Sequence, residues 1–335
     1  MHRSNGCWLS LGVGSSVTAI LLWKSRKRRQ ALARRAHRLT REALTSLGVR
    51  AETAYLRGDG IQLHTVLAGP EDGPLAVLLH GFPECWYSWR HQIPALARAG
   101  YRVVVPDQRG YNLSDKPKGM HRYRVDHLTA DILALIRALG RERAIIVGHD
   151  WGGVAAWRLA MDCPEVVEKL VVMNAPHPVA LAKALRDDGS QRLRSWYMFM
   201  FQLPWLPEAL LTLSPMASAR LFFRRTAVRP EAFSDDDLAV MVAALAQPGA
   251  MACMIHWYRA AFRYQPAKRA GPVQAPTLLI WAEDDVALGR ALTLGLERRV
   301  PDLRIHYVPR CGHWVQNEAP EEVNEQVKAF LQAVV

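Results

Sequence analysis

The sequence predicts an α/β protein: a mostly parallel sheet flanked by helices, with a helical cap inserted after the sixth strand. Three observations carry this. Short apolar, β-branched runs alternate with helical patterns from about residue 49 to 176, the rhythm of strand–helix–strand units. The alternation then stops, and residues 177–270 read as helical, rich in Met, Trp, Phe and Arg and interrupted by Pro204, Pro207, Pro215, Pro230 and Pro248. Strand and helix patterns resume in 271–335. With 335 residues, half of them hydrophobic, the chain can bury a sizeable core.

The elements follow in order. Ala31–Leu47 predicts a basic helical connector ending near Gly48. Glu52–Leu56 and Ile61–Ala68 predict two antiparallel strands joined at Gly58-Asp59-Gly60. Leu75–Leu79 is a short buried strand, and Ser88–Ala99 a helix that Pro94 should kink. Tyr101–Val105 is the next strand. Leu128, Ile132, Leu135, Ile136 and Leu139 share one face of a helix over Val125–Leu139. Ala144–Val147 predicts a strand, Val154–Met161 a helix and Lys169–Met173 the last strand before the cap. Thr277–Trp281, Ile305–Val308 and Pro320–Val334 predict two strands and a closing helix.

Charge is unevenly spread. The net charge is +12, yet residues 1–41 hold ten Lys/Arg and no acid, while the rest holds 33 basic against 31 acidic residues. The basicity belongs to residues 1–48, so a nucleic-acid partner is not expected of the body. Cys7–Trp23 is free of charge and is followed by Lys24-Ser25-Arg26-Lys27-Arg28-Arg29. As a helix it would be about 26 Å long, the short limit for a membrane span. Basic residues on its C-terminal side would put the body on the cytosolic face, as for an enzyme anchored at the endoplasmic reticulum. A mitochondrial presequence and a plain basic tail on a cytosolic protein are the alternatives. The five cysteines are scattered and odd in number, which fits reduced thiols and no metal site.

The chemistry centres on Gly148-His149-Asp150-Trp151-Gly152-Gly153. It lies between a strand and a helix, the context of a nucleophile elbow, with Asp150 where a serine often stands. A carboxylate is ionised at neutral pH and needs no base to attack. It suits an sp³ carbon, because the product is an ester that water can cleave. Serine would leave a stable ether.

Asp150 in this motif, with His80-Gly81-Phe82-Pro83-Glu84, resembles the α/β-hydrolase-type epoxide hydrolases over residues 55–335. Tyr197–Glu208 and Gln247-Pro248-Gly249 are similar to the N-terminally anchored vertebrate members, the third and fourth epoxide hydrolases. The resemblance implies an α/β-hydrolase fold, no cofactor, and a two-step reaction of an epoxide with water to a vicinal diol. Asp150 would be the nucleophile. Tyr197 and Tyr258 would donate protons to the epoxide oxygen; aromatic neighbours make a plain packing role the rival for each. His313, in Gly312-His313-Trp314 after the last strand, would be the general base, matched to neutral pH. The orienting acid comes from Glu283-Asp284-Asp285. The family pattern Trp-Gly-Glu-x-Asp selects Asp285, although Ala282 replaces that Gly and Asp284 stands adjacent.

The oxyanion should be held by the backbone N–H groups of Phe82 and Trp151. A cis bond is implied at Phe82-Pro83, and Trp86 and Trp151 should wall the pocket. Asn112 stands where the family has Gly, and Asn tolerates positive φ. His149 is expected to shape the turn and His80 to support its loop. Met and aromatic residues in the cap point to a lipophilic substrate, such as a fatty-acid epoxide. The competing enzyme is a haloalkane or fluoroacetate-type dehalogenase, whose leaving halide has no need of acidic phenols. The competing non-enzyme is a membrane-tethered scaffold on an inert body.

Overall fold

The computed structural model describes residues 30–267 and 271–333. The uncharged Cys7–Trp23 run therefore lies outside the described residues. Among those described, no single helix is long and apolar enough to cross a membrane.

Helix α1 spans 30–46. Ala36, Thr40, Ala43 and Leu47 are buried along one stripe at helical spacing, while Arg34, Arg35, Arg38 and Arg41 stay exposed. Strands β1 (Ala51–Arg57) and β2 (Gln62–Ala68) pair antiparallel. Then come β3 (Leu75–Leu79), α2 (Gln92–Arg98), β4 (Arg102–Pro106), α3 (Val125–Ala138), β5 (Ala144–His149), α4 (Trp151–Asp162) and β6 (Val167–Met173). Among the described residues, seven α-helices separate β6 from β7 (Thr277–Ala282): α5 (Pro178–Asp187), α6 (Gly189–Arg194), α7 (Trp196–Met200), α8 (Leu206–Leu213), α9 (Pro215–Ala219), α10 (Asp235–Leu245) and α11 (Ala250–Arg263). Strand β8 (Leu303–Val308) and helices α12 (Val315–Glu318) and α13 (Pro320–Gln332) complete the order.

The sheet runs β1-β2-β4-β3-β5-β6-β7-β8, parallel from β4 onward. Every residue of β3, β5 and β7 is buried, as expected of strands covered on both faces. Parallel register aligns the strand ends: Leu79 pairs with Gly148, His149 with Met173, and Ala282 with Val308. The loops that follow β3, β5, β6, β7 and β8 thus emerge along one edge, and the helical insertion leaves from there too.

The Ser88–Ala99 expectation needs correction. Trp86–Trp89 is a short 3₁₀ turn, and α2 begins only at Gln92, so the break falls at Arg90-His91 and not at Pro94. Pro94 sits in the first turn of α2, where a missing N–H costs nothing. Arg90 explains the break: its guanidinium bonds Asn317 and the Ala232 carbonyl and pairs with Asp237, tying this corner to α12 and the insertion.

The loop after β4 is held by buried charge. Arg109 bonds both Asp131 oxygens, at 2.6 and 2.7 Å, and so pins the loop to α3. Asp107 accepts from the Trp86 N–H at 2.9 Å and from the Asn112 side chain at 2.8 Å, and it pairs with His64 at 2.7 Å. Asn112 has φ 37°, the left-handed conformation that its place in the sequence anticipates.

Candidate active site

Asp150 sits at the bend between β5 and α4 with φ 50° and ψ −121°. A non-glycine residue at positive φ costs of order 1–3 kcal/mol and survives only where its surroundings fix it. The neighbouring glycines serve close approach: neither Gly148 nor Gly152 has positive φ. A Cβ on Gly152 would lie 2.0 Å from the Leu79 carbonyl oxygen, and one on Gly81 would lie 2.4 Å from the Asp150 Cβ. The β3 loop and the elbow therefore touch backbone to backbone.

That contact gives the carboxylate its donors. The Phe82 N–H donates to Asp150 Oδ1 at 2.7 Å, and the Trp151 N–H also bonds the carboxylate. The Phe82-Pro83 peptide is cis. Asp150 Oδ2 lies 3.7 Å from His313 Nε2. Burial pushes the Asp150 carboxyl above its usual range, against the pull of His313, His149 and the two N–H groups.

His313 and Asp285 meet from the loops after β8 and β7. His313 Nδ1 donates to Asp285 Oδ2 at 2.6 Å. The same oxygen accepts from Asn174 Nδ2 at 2.8 Å, and Oδ1 accepts from the Ala287 and Leu288 N–H groups. Four donors fill this carboxylate, whereas Asp284 is exposed. Burial would raise Asp285, but the His313 charge and these bonds hold it below its usual value. Burial would lower His313, but the charge and hydrogen bond of Asp285, with Asp150 and Glu84, raise it to about 9.

Tyr197 comes from α7 and Tyr258 from α11, and their ring centroids are 5.9 Å apart. Both phenols are pushed above their usual range by burial and by the Asp150 charge, so both keep their protons at neutral pH. Both line two cavities, of about 580 and 300 Å³, that share Asp150. The larger runs beneath α5 past Val154, Val179 and Leu185. The smaller opens past Leu211, Leu221 and Val286 and carries His313. The two arms meet where the carboxylate and the phenols converge.

Of the sequence-predicted residues, Asp150, His313, Asp285, Tyr197, Tyr258, Phe82 and Trp151 come together here. Trp86 does not. Its indole is wholly buried, its ring packs edge-on against Tyr87 at 5.5 Å, and it lines neither cavity. The 3₁₀ turn that follows Cys85 carries the side chain into the core; Trp257 provides an indole wall in its place.

His80 supports its loop, whereas His149, expected to shape the turn, ties the loop after β3 to the loop after β8. His80 Nδ1 donates to the Gly81 carbonyl, while Nε2 accepts from the Gln108 N–H. His149 faces Glu84 with Nδ1 and the His313 carbonyl with Nε2, each at 2.8 Å. Two supporting residues were not assigned roles from sequence. Glu84 takes bonds from Gly81, His149, Ser88 and Gln316. Burial opposes its charge, but the His149 charge and these bonds outweigh it and hold the carboxyl at about 2. Asn174, at φ 39°, bridges β6 and β7 to Asp285. The signal available was its position directly after a parallel strand, where sites gather.

A nucleophile elbow on a parallel sheet, with an acid–histidine pair from the last two strand ends, defines a hydrolase of the α/β class. Residues 74–320 match the family described as alpha/beta hydrolase fold. The AB hydrolase superfamily protein YfhM of Bacillus subtilis is 43% identical over 83% of this chain and 96% of its own length. Epoxide hydrolase 3 of Xenopus tropicalis is 38% identical over 82% of this chain and 76% of its own. The crystal structure of Bacillus megaterium epoxide hydrolase in complex with an inhibitor superposes with a TM-score of 0.78 at 30% identity, covering 84% of this chain and all of that one. The chain belongs to the epoxide hydrolases of the alpha/beta hydrolase family.

Proposed function

We propose that this enzyme converts lipophilic epoxides to vicinal diols through an ester on Asp150. The observation that carries the reading is the convergence of one carboxylate and two protonated phenols on a shared cavity. Asp150 Oδ2, the oxygen not bonded to Phe82, attacks an epoxide carbon. The carbon–oxygen bond breaks, and the strongly basic alkoxide takes a proton from Tyr197 or Tyr258. Esterification removes the Asp150 charge, one of the groups that raise His313. His313 then drops from about 9 and gives the proton it carried at rest to the phenolate, which leaves a neutral imidazole.

The neutral imidazole, oriented by Asp285, takes a proton from water as the water oxygen adds to the ester carbonyl. The resulting oxyanion stands at Oδ1, to which the Phe82 N–H already donates, with the Trp151 N–H as the second donor beside it. Collapse expels the diol oxygen, which takes the proton from His313. The acid left on Asp150 passes its proton to His313, and the resting pair is restored. One turnover in ¹⁸O-water should label Asp150, and Asp150→Asn, assayed before deamidation, should form no diol. An unlabelled Asp150 alongside diol formation would rule out the ester.

The two apolar arms support a lipophilic epoxide with substituents on both sides of the ring. A panel in which small polar epoxides outcompeted long-chain ones would reject that class. For the cell we propose that residues 7–23 anchor the enzyme at the endoplasmic reticulum with its body cytosolic. Protease digestion of intact microsomes should then destroy the body; protection of the body would refute this orientation.

A further inference from the structure

Among the described residues, large apolar side chains left exposed are concentrated in one part of the insertion: nine of fourteen fall between Leu193 and Leu221. They follow helical spacing. Trp196, Phe199 and Leu203 recur at i, i+3 and i+7; Leu206, Leu210 and Leu213 at i, i+4 and i+7. An apolar stripe at this period normally faces a core. Here α8 turns it outward: Leu210 is 54% and Leu213 80% exposed, while Pro207 is buried. Trp205, 73% exposed, stands between the stripes at φ 50°. The segment is not loosely placed. Arg259 clamps it from behind, bonding the Phe201 carbonyl at 2.8 Å, the Leu203 carbonyl at 2.5 Å and both oxygens of Glu208.

The charge along this segment is predominantly positive, although Arg224 pairs with Asp235 outside it. Between Gly189 and Arg225 stand Arg192, Arg194, Arg220, Arg224 and Arg225, and the only acid is Glu208, which Arg259 neutralises. Outward leucines, exposed tryptophans and flanking arginines are the composition that lies in the headgroup region of a bilayer and is drawn to anionic lipid. Trp196 and Leu221 on this face also line the smaller cavity, which reaches Asp150 and His313. We propose that the face built by α7 and α8 docks onto an anionic lipid surface, and that lipophilic substrate passes from the bilayer into the smaller cavity between Trp196 and Leu221. The docking stands on the surface alone; the substrate route rests on the function proposed above.

The test is amide hydrogen exchange of the full chain with vesicles of phosphatidylcholine and phosphatidylglycerol, with phosphatidylcholine vesicles alone, and without vesicles. Amides of residues 200–214 should slow about tenfold or more on the anionic vesicles only. Exchange unchanged by vesicles overturns the docking, as does equal slowing on uncharged vesicles. Slowing without vesicles that grows with protein concentration overturns it in favour of a second copy. The combined variant Trp205→Asn, Leu210→Gln, Leu213→Gln touches no cavity wall. It should lose the slowing and hydrolyse vesicle-dissolved long-chain epoxide about tenfold more slowly, with turnover of a water-soluble epoxide kept. Equal turnover of the vesicle-dissolved epoxide by both proteins overturns the route. Absence of any turnover by the wild type would sink the epoxide reading and leave docking to be decided by exchange.

Discussion

Replacing Asp285 by Asn tests the electrostatics of the site most directly. Asp285, with help from Asp150 and Glu84, raises His313 from its usual 6.5 to about 9. That difference corresponds to about 3 kcal/mol of interaction favouring the protonated ring. A histidine raised on folding stabilises the native state fully below about 6.5, and the contribution is lost as pH rises through about 9. Wild-type stability should therefore carry a component that declines between those values. In Asp285→Asn the largest raising cause is gone while the opposing effect of burial stays, so the component should largely vanish. The Asn side chain keeps the volume, but its NH2 group meets donors that the carboxylate accepted from, so a pH-independent loss of stability accompanies the electrostatic one and only the pH-dependent component is diagnostic. Denaturant unfolding at closely spaced pH values, alongside ¹⁵N-histidine titration by NMR, reads both sides of the linkage. Diol formation should fall about hundredfold or more, because the imidazole loses its orienting charge. A wild-type His313 that titrates near 6.5, or an unchanged decline in the variant, would refute the reasoning.

Three further outcomes are expected. Tyr197→Phe and Tyr258→Phe should each slow epoxide opening about tenfold to hundredfold, and together about 10³-fold or more, measured as single-turnover ester formation; halide release from alkyl halides with no loss in either variant would favour a dehalogenase. Gly81→Ala forces a Cβ to within 2.4 Å of the Asp150 Cβ, so kcat should fall about hundredfold and stability by about 1–3 kcal/mol, with kcat measured on the folded fraction; unchanged kcat would mean that the elbow tolerates displacement. Asn112→Ala loses the bond to Asp107 and puts at φ 37° a residue that tolerates the left-handed region less well than Asn, and should destabilise the protein by about 1–2 kcal/mol in denaturant titrations; no measurable loss would count against the strain argument.

Much of this was legible in sequence because it rests on local chemistry. The period of apolar residues marks the core strands within a few positions. The elbow, the HGFP loop and Gly312-His313-Trp314 are short motifs whose backbones need those residue types. The break at Arg90 was hidden, since its causes, Asn317, Ala232 and Asp237, lie far along the chain. Trp86 misled for a related reason: an indole next to a loop motif can face either way, and only packing against Tyr87 turns it inward.

By itself the sequence determined the strand order along the chain, the carboxylate at the bend and the histidine after the last strand, because each is written in contiguous residues. The family pattern had selected Asp285 over Asp284, but the physical reason for that choice belonged to tertiary structure. Two adjacent carboxylates are equivalent until Asn174, Ala287, Leu288 and His313 converge on one of them and leave the other in water. The outward turn of the α8 stripe was likewise decided by the fold. Spacing marks a helix face as apolar, but the clamp of Arg259 on Glu208 and two carbonyls sets which way that face looks.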